Sequence, residues 1–281
     1  MIDIHHHLIF AVDDGSPDLD TSLAMARQAA SSGITHIVCT PHASDQFPYR
    51  EEIIRERFAL LRETLAGEIE LSLACDFHLT AENVFDAVSH PYKYSIDGNG
   101  YLLIEFDSMS IPPQIENAVD MLQAAGYTPI VTHPERYPAL LKRPEMLARW
   151  VRNGCLVQVT AGSLTGRFGR QAESFSNELL EGNWIHFIAT DAHNLTSRPP
   201  NLSEAFHYIS KVRSEDVARR LCFKNPKAAV DGKPLPSQPE PRALWSTNPF
   251  AEWSSRNESS NNHSMAHSTR KRSWLSRILQ A

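Results

Sequence analysis

Cysteine is scarce in this chain: four in 281 residues, Cys39, Cys75, Cys155 and Cys222, each standing alone. Single placement excludes a paired zinc ribbon and a Cys-x-x-Cys redox pair. None is followed six positions later by arginine, which excludes a cysteine-phosphatase loop. Three fall inside strand-like runs and read as small buried hydrophobes. No glycine-rich GxGxxG turn occurs, so a dinucleotide-binding Rossmann unit is not expected. No run of about 18 apolar residues is found, and the N-terminus has no basic segment leading into an apolar stretch, so a cytoplasmic protein is expected. Positive charge is also short, 27 Lys and Arg against 33 Asp and Glu, for a net charge of −6. Arg270, Lys271, Arg272 and Arg277 are the only charged groups of 270–281, so removing those four positive charges leaves −10 for residues 1–269. An acidic body argues against a nucleic-acid groove.

What is present alternates. Strand-like runs cover 2–7, 34–41, 69–77, 101–106, 128–133, 155–160 and 185–191, and segments of helical periodicity lie between them. In the first helix Ser16 is expected as the cap, with Leu19, Leu23, Ala26 and Ala30 facing inward and Gly33 ending it. Further helices are marked by Ile54, Phe58, Leu61 and Leu65, by Ile115, Val119 and Leu122, and by Leu147, Trp150 and Val151; two more span 170–182 and 202–223. Seven strands, each followed by a helix or long turn, predict an α/β fold of the (β/α) barrel type over residues 1–230. After Asp231 the composition changes. Pro234, Pro236, Pro239 and Pro241 lead into a Ser/Asn-rich stretch, and 231–269 reads as a disordered linker. In 270–281, Trp274, Leu275, Ile278 and Leu279 share one helical face beside the four cations. That segment is either a solvated extension or a basic amphipathic anchor making peripheral contact with an anionic membrane or a partner.

Nine residues of metal-ligand type stand mostly where apolar runs stop: His5, His7, Asp14, His42, Asp76, Glu105, His133, Asp191 and His193. Barrel strands that end in His, Asp or Glu build one polar rim. Residues two apart in a strand point the same way, so His5 pairs with His7, and Asp191 with His193, while His6 faces the other side. Glu105 follows four apolar residues, where a carboxylate is costly unless paired or coordinated. His36 and His186 sit at the opposite strand ends and read as structural or surface residues. Histidine and carboxylate without thiolate suit Mn²⁺, Fe or Zn²⁺. Two or three such ions polarise a phosphoryl oxygen and supply hydroxide near neutral pH, so phosphoester hydrolysis is the expected reaction.

MIDIHHH, DDG, TPH, LIEF, HPERY, ATDAHNLTSRPP and KNPKAAV together resemble the polymerase-and-histidinol-phosphatase superfamily. Within it they are similar to the bacterial tyrosine-protein phosphatases encoded with capsule and exopolysaccharide genes. The resemblance covers about residues 1–230. It implies a seven-stranded distorted barrel and a trinuclear, usually manganese-dependent centre at the nine positions above. It also implies a substrate, phosphotyrosine in the tail of an autophosphorylating tyrosine kinase that controls polysaccharide export. Arg136 and Arg198 match the family arginines that hold the phosphate, a task for which a planar two-point fork is suited. Whether a protein group protonates the tyrosyl oxygen stays open; His42 or His193 could do so if not fully committed to metal. One departure stands out: where the family has G-A-E-I-Y-Y, this chain has Ala74-Cys75-Asp76-Phe77-His78-Leu79. The carboxylate is one methylene shorter, and His78, on the same strand face, is an alternative ligand. Two other readings stay open, a small-molecule phosphomonoesterase acting on a substrate such as histidinol phosphate, and a kinase-docking regulator with residual hydrolysis. The oligomeric state, homo-oligomer included, is open too.

Overall fold

The computed structural model of the protein describes residues 1–106, 111 and 115–257. Among these described residues there are nine strands in two parallel sheets. The first sheet has the order β1 (Ile2–His6), β2 (His36–Cys39), β4 (Glu70–Leu73). The second has the order β3 (His42–Ala43), β5 (Asp76–His78), β6 (Tyr101–Glu105), β7 (Thr128–Thr132), β8 (Leu156–Thr160), β9 (Phe187–Ala189).

The seven expected runs thus become nine strands. The run 34–41 breaks at Thr40 and Pro41, where proline removes a ladder donor, and 69–77 breaks at Ala74 and Cys75. Backbone bonds cross that double break: Ala74 N donates to Cys39 O at 2.8 Å and Asp76 N to Pro41 O at 3.1 Å. On the other flank, Asp191 N donates to His5 O at 2.9 Å and His7 N to Ala192 O at 3.0 Å. A bulge between Asp3 and His6 shifts the register of β1 against β2, and bulges re-aim side chains beside functional sites.

Helices fill the connections: α1 (Leu19–Ser31), α2 (Glu51–Thr64), α3 (Ala81–Ser89), α4 (Ile115–Ala124), α5 (Pro138–Lys142), α6 (Glu145–Arg152), α7 (Ala161–Leu164), α8 (Arg170–Glu181), α9 (Ser203–Val212), α10 (Glu215–Arg219) and α11 (Asn225–Val230). The cap of α1 is Asp18, which accepts from Thr21 N at 2.8 Å, rather than Ser16, whose hydroxyl donates instead to Asp18 O. The buried stripe of α1 is correspondingly rotated onto Ser22, Met25, Ala26 and Ala29. Helix α3 was not expected from the sequence pattern. Strand residues alternate between two apolar clusters: Leu102 and Ile104 pack in the larger one with Val131 and Ile188, Leu103 in the smaller one with Ile130 and Phe187. Burial on both faces is what an all-parallel sheet requires.

The expectation of a disordered linker fails over residues 231–257. Residues 251–257 are helical, and Phe250 and Trp253 are buried, packed on Phe175 and Trp184 with ring centroids 4.7–5.6 Å apart. Arg242 and Arg256 both ion-pair with the buried carboxylate of Glu178 on α8. Arg152 donates to Leu244 O and Ser246 O at 2.6 and 2.8 Å. Two aromatic residues and two arginines therefore tie down a proline-rich stretch that composition alone marks as free. The remainder of the expected linker and the basic segment 270–281 lie outside the described residues.

Candidate metal centre

The sequence order of this site begins at the end of β1. His5 and His7 bring their Nε2 atoms within 3.3 Å of each other. Their Nδ1 atoms are taken: His5 Nδ1 pairs with Gln158 Oε1 at 3.0 Å and His7 Nδ1 with Asp13 Oδ2 at 2.9 Å. Such outer partners orient a ring so that its other nitrogen is offered inward. Asp13 also accepts from Gly15 N at 2.9 Å. A Cβ on Gly15 would meet His7 Cβ at 2.4 Å and His7 O at 2.5 Å, so the DDG turn tolerates only glycine there.

From the second sheet, Asp76 on β5 places Oδ2 3.3 Å from both His5 Nε2 and His42 Nδ1. Glu105 at the end of β6 lies 3.2 Å from His42 Nδ1 and 3.6 Å from His133 Nε2. Asp14 Oδ1 lies 3.3 Å from His42 Nε2 and 3.4 Å from His193 Nε2. Asp191 Oδ1 sits 3.4–3.5 Å from His5, His7 and His193. All nine expected residues are therefore brought together, in four overlapping groups whose ligand atoms lie within 4.8 Å of one another. His133 and Asp191 hold left-handed backbones, φ 33° and 52°, a strained conformation for non-glycine residues that the surrounding fold must enforce.

The donor set fits divalent cations. It is nitrogen and oxygen without sulfur, and neither carboxylate oxygen of the fully buried Asp76 receives a hydrogen bond, an arrangement costly without a positive partner. The protonation balance reads the same way. Burial opposes charge on His5, but Asp76 and Asp191 outweigh it and push that imidazole up to about 9. His42 is also raised against burial, by Asp14, Asp76 and Glu105. Burial, reinforced by His7, takes His193 down to about 4. The nearby imidazoles of His193 and His42 hold Asp14 far below the usual carboxylate range, and on Asp191 the effect of burial is overcome by Arg198, His5 and Arg136.

Arg136, in the turn after β7, and Arg198 converge on one atom, Asp191 Oδ2. The Arg136 guanidinium lies over the Phe168 ring, 4.6 Å from its centroid. Asn194 shapes the Arg198 loop by accepting from the backbone N–H of Thr196, Ser197 and Arg198 at 2.8–3.1 Å. Glu135 of HPERY turns the other way and is buried, accepting from Thr160 N at 3.0 Å and Ser163 Oγ at 2.7 Å. Asp13, Gln158 and Glu135 were missed by sequence reasoning; only the doubled acid of DDG carried a signal for one of them.

Asp14, His42 and Glu105 open into a cleft of about 1170 Å³ between α3 and α4, walled by Phe47, Leu79, Phe85, Phe106, Ile115 and Met121. His78 lines this cleft and belongs to none of the four groups, whereas Asp76 belongs to two. His36 bonds Ser72 Oγ at 2.8 Å, and His186 accepts from Val157 N at 3.1 Å, both away from the centre. His6 is buried apart from the groups, its ring nitrogens without partners.

Residues 1–231 match the family model described as Capsular polysaccharide synthesis, CpsB/CapC. The tyrosine-protein phosphatase YwqE of Bacillus subtilis is 36% identical over 216 residues, 75% of this chain and 84% of YwqE. The tyrosine-protein phosphatase CpsB of Streptococcus pneumoniae is 30% identical over 239 residues, 82% of this chain and 98% of CpsB. A solved structure from a study of YwqE and CpsB, described as unique metal-dependent tyrosine phosphatases, superposes with a TM-score of 0.80 at 33% identity, over 86% of this chain and 99% of that one. The lactonase Lmo2620 of Listeria monocytogenes, at 10% identity and a TM-score of 0.55 over 83% of this chain and 95% of its own, is similar in fold. With a family model spanning most of its length and relatives above 30% identity, the chain belongs to the CpsB/CapC family of capsular polysaccharide synthesis.

Proposed function

We propose that the protein is a metal-dependent tyrosine-protein phosphatase that removes phosphate from a tyrosine kinase controlling capsule or exopolysaccharide synthesis. The observation that carries this reading is the convergence of nine nitrogen and oxygen donors at the base of an apolar-walled cleft, with two arginines against the same carboxylate. We assign the nine residues as ligands of two or three ions, Mn²⁺ by preference, with Asp76 rather than His78 completing the set. Ions held there would supply Lewis acidity toward phosphoryl oxygens and hydroxide near neutral pH. Gln158 and Asp13 keep His5 and His7 oriented. Arg136 and Arg198 present planar forks to phosphate oxygens and the charge that develops on them. The cleft takes the tyrosyl ring and the residues beside it. Its breadth favours a peptide over a small phosphomonoester. We also read the two sheets as one distorted barrel of the expected kind, supported by the backbone bonds that join them on both flanks.

A phosphotyrosine peptide and histidinol phosphate, offered to Mn²⁺-reconstituted protein with and without chelator, test the reading. Turnover of the peptide that chelator abolishes is the expected result. Preference for histidinol phosphate would move the protein to the small-molecule class, and no turnover of either would leave a docking regulator. Iodoacetamide should be harmless, because all four thiols are buried and burial pushes Cys155 and Cys222 up to about 12.

A further inference from the structure

Beside the cleft lies a second, smaller cavity of about 210 Å³ that the centre does not use. Its walls are Val12, Phe47, Pro48, Ile53 and Ile54, and its only charged lining groups are Arg50 and Arg57. In a body with an acidic excess, two cations facing one cavity without an acid would attract an anion. Neither arginine forms a side-chain ion pair among the described residues. Arg57 Nη1 is held by Phe10 O and Ala11 O, both at 2.6 Å, with the guanidinium 4.9 Å from the Phe10 ring centroid. That leaves the other face of its fork available. Glu51, the acid next to Arg50, is engaged elsewhere: it pairs with Arg55 at 2.8 Å and reaches Lys93 at 3.8 Å.

The cavity adjoins the cleft. Gln46 and Phe47 line both, and Phe47 stacks on the candidate ligand His42 at 5.7 Å and 14°. The loop of Ala11 and Val12 runs directly into Asp13 and Asp14. Phe47 is thus part of the wall of both cavities, and an extended chain advances about 3.3–3.6 Å per residue. We propose that the Arg50–Arg57 cavity is a specificity subsite that binds an anionic side chain lying a few residues from the scissile phosphotyrosine, on the same substrate chain. The proposal rests on the phosphatase reading above. Two side chains carry the required anion, a carboxylate and a second phosphotyrosine; the apolar walls accommodate the stem of either, and the arginine forks meet its oxygens. The large cleft supplies the contrast, since its charged lining consists of Asp14, Asp45 and Glu105 beside neutral or weakly basic groups.

The test uses full-length, Mn²⁺-reconstituted protein and phosphotyrosine peptides of one sequence. Glu, Gln, phosphotyrosine or Tyr is placed in turn at each of the five positions on either side. At one or two positions kcat/KM should rise about tenfold for the acidic member over its neutral partner, the order expected for a partly desolvated charge pair. Arg50→Gln should erase that preference while turnover of p-nitrophenyl phosphate and of neutral peptides stays as in the parent. A rise for Glu over Gln identifies a carboxylate; a rise confined to phosphotyrosine over Tyr identifies a phosphoryl group. Arg57→Gln should act in the same direction, but Arg57 also holds the Phe10–Ala11 loop, so Arg50→Gln is decisive. No preference at any position, or a preference that survives Arg50→Gln, overturns the subsite. Should the protein hydrolyse p-nitrophenyl phosphate but no phosphotyrosine peptide, the substrate reading fails separately, and fluorescence anisotropy of the same acidic and neutral peptides, with parent and Arg50→Gln protein, still decides whether the cavity binds anions.

Discussion

Replacement of Trp253 by alanine tests whether the C-terminal segment is part of the folded body. The indole is 2% exposed, 4.7 Å from the Phe175 ring, and shares its apolar pocket with Phe250, which stacks on Trp184. A large-to-small change at such a core site costs about 3–5 kcal/mol. The segment ends the described chain, so it can detach instead of holding a cavity open. The loss is therefore limited by the net free energy of docking, and we expect about 3 kcal/mol, the lower end of that range. For a domain of this size that corresponds to a fall in Tm of about 6–12 °C. Truncation after residue 231 should do at least as much damage, because it exposes Phe175 and Trp184 and strips Glu178 of Arg242 and Arg256. The clasp lies against α8 and the segment leading into β9, at the strand ends opposite the metal centre, so kcat per folded molecule should not change. Thermal melts and p-nitrophenyl phosphate kinetics on the same samples read both quantities. A Tm within 1–2 °C of the parent in both variants would refute the docking and restore the linker expected from composition.

His5→Ala or His133→Ala should abolish turnover and lower bound metal, measured by elemental analysis, while His36→Ala keeps both; equal losses in all three would mean the assignment of the rim is wrong. Arg136→Lys and Arg198→Lys should each lower kcat/KM by about tenfold to a thousandfold, roughly 1.4–4 kcal/mol of transition-state binding, with metal content retained. Parent kinetics in either would remove that arginine from the phosphate site. His186, 8% exposed, is taken down to about 4 by burial and by Arg220. The unfolded chain takes up this proton near 6.5, so the contribution is fully present above that pH and is lost as pH falls toward 4. It amounts to at most about 3 kcal/mol. Asp3, raised by burial to about 6, acts in the opposite sense over part of that window. The measurement is therefore the difference in urea stability between parent and His186→Asn across pH 4–7, and no narrowing of that difference would disprove the role.

Most of the candidate metal residues were legible because they follow an apolar run, and strand periodicity then puts neighbours two apart on one side. The pairing of His5 with His7 and of Asp191 with His193 follows from that geometry, and His36 was set apart by its place at the opposite strand end. Helices α2, α4, α6 and α8 were equally legible, from stripes such as Ile115, Val119 and Leu122 that proved to be buried. What periodicity cannot carry is contact between residues far apart in the chain. The different surroundings of Asp76 and His78 come from the course of β5, which turns one side chain to His5 and His42 and the other to the cleft. The bracing of His5 by Gln158, 153 positions away, has no local signature, nor has the convergence of Arg136 and Arg198 on one carboxylate oxygen. The segment after Asp231 is the sharpest case. Its own composition is that of a free chain, since proline and serine bury little surface, and only the pocket supplied by Phe175 and Trp184, with Glu178 beside it, makes two aromatic residues enough to hold it.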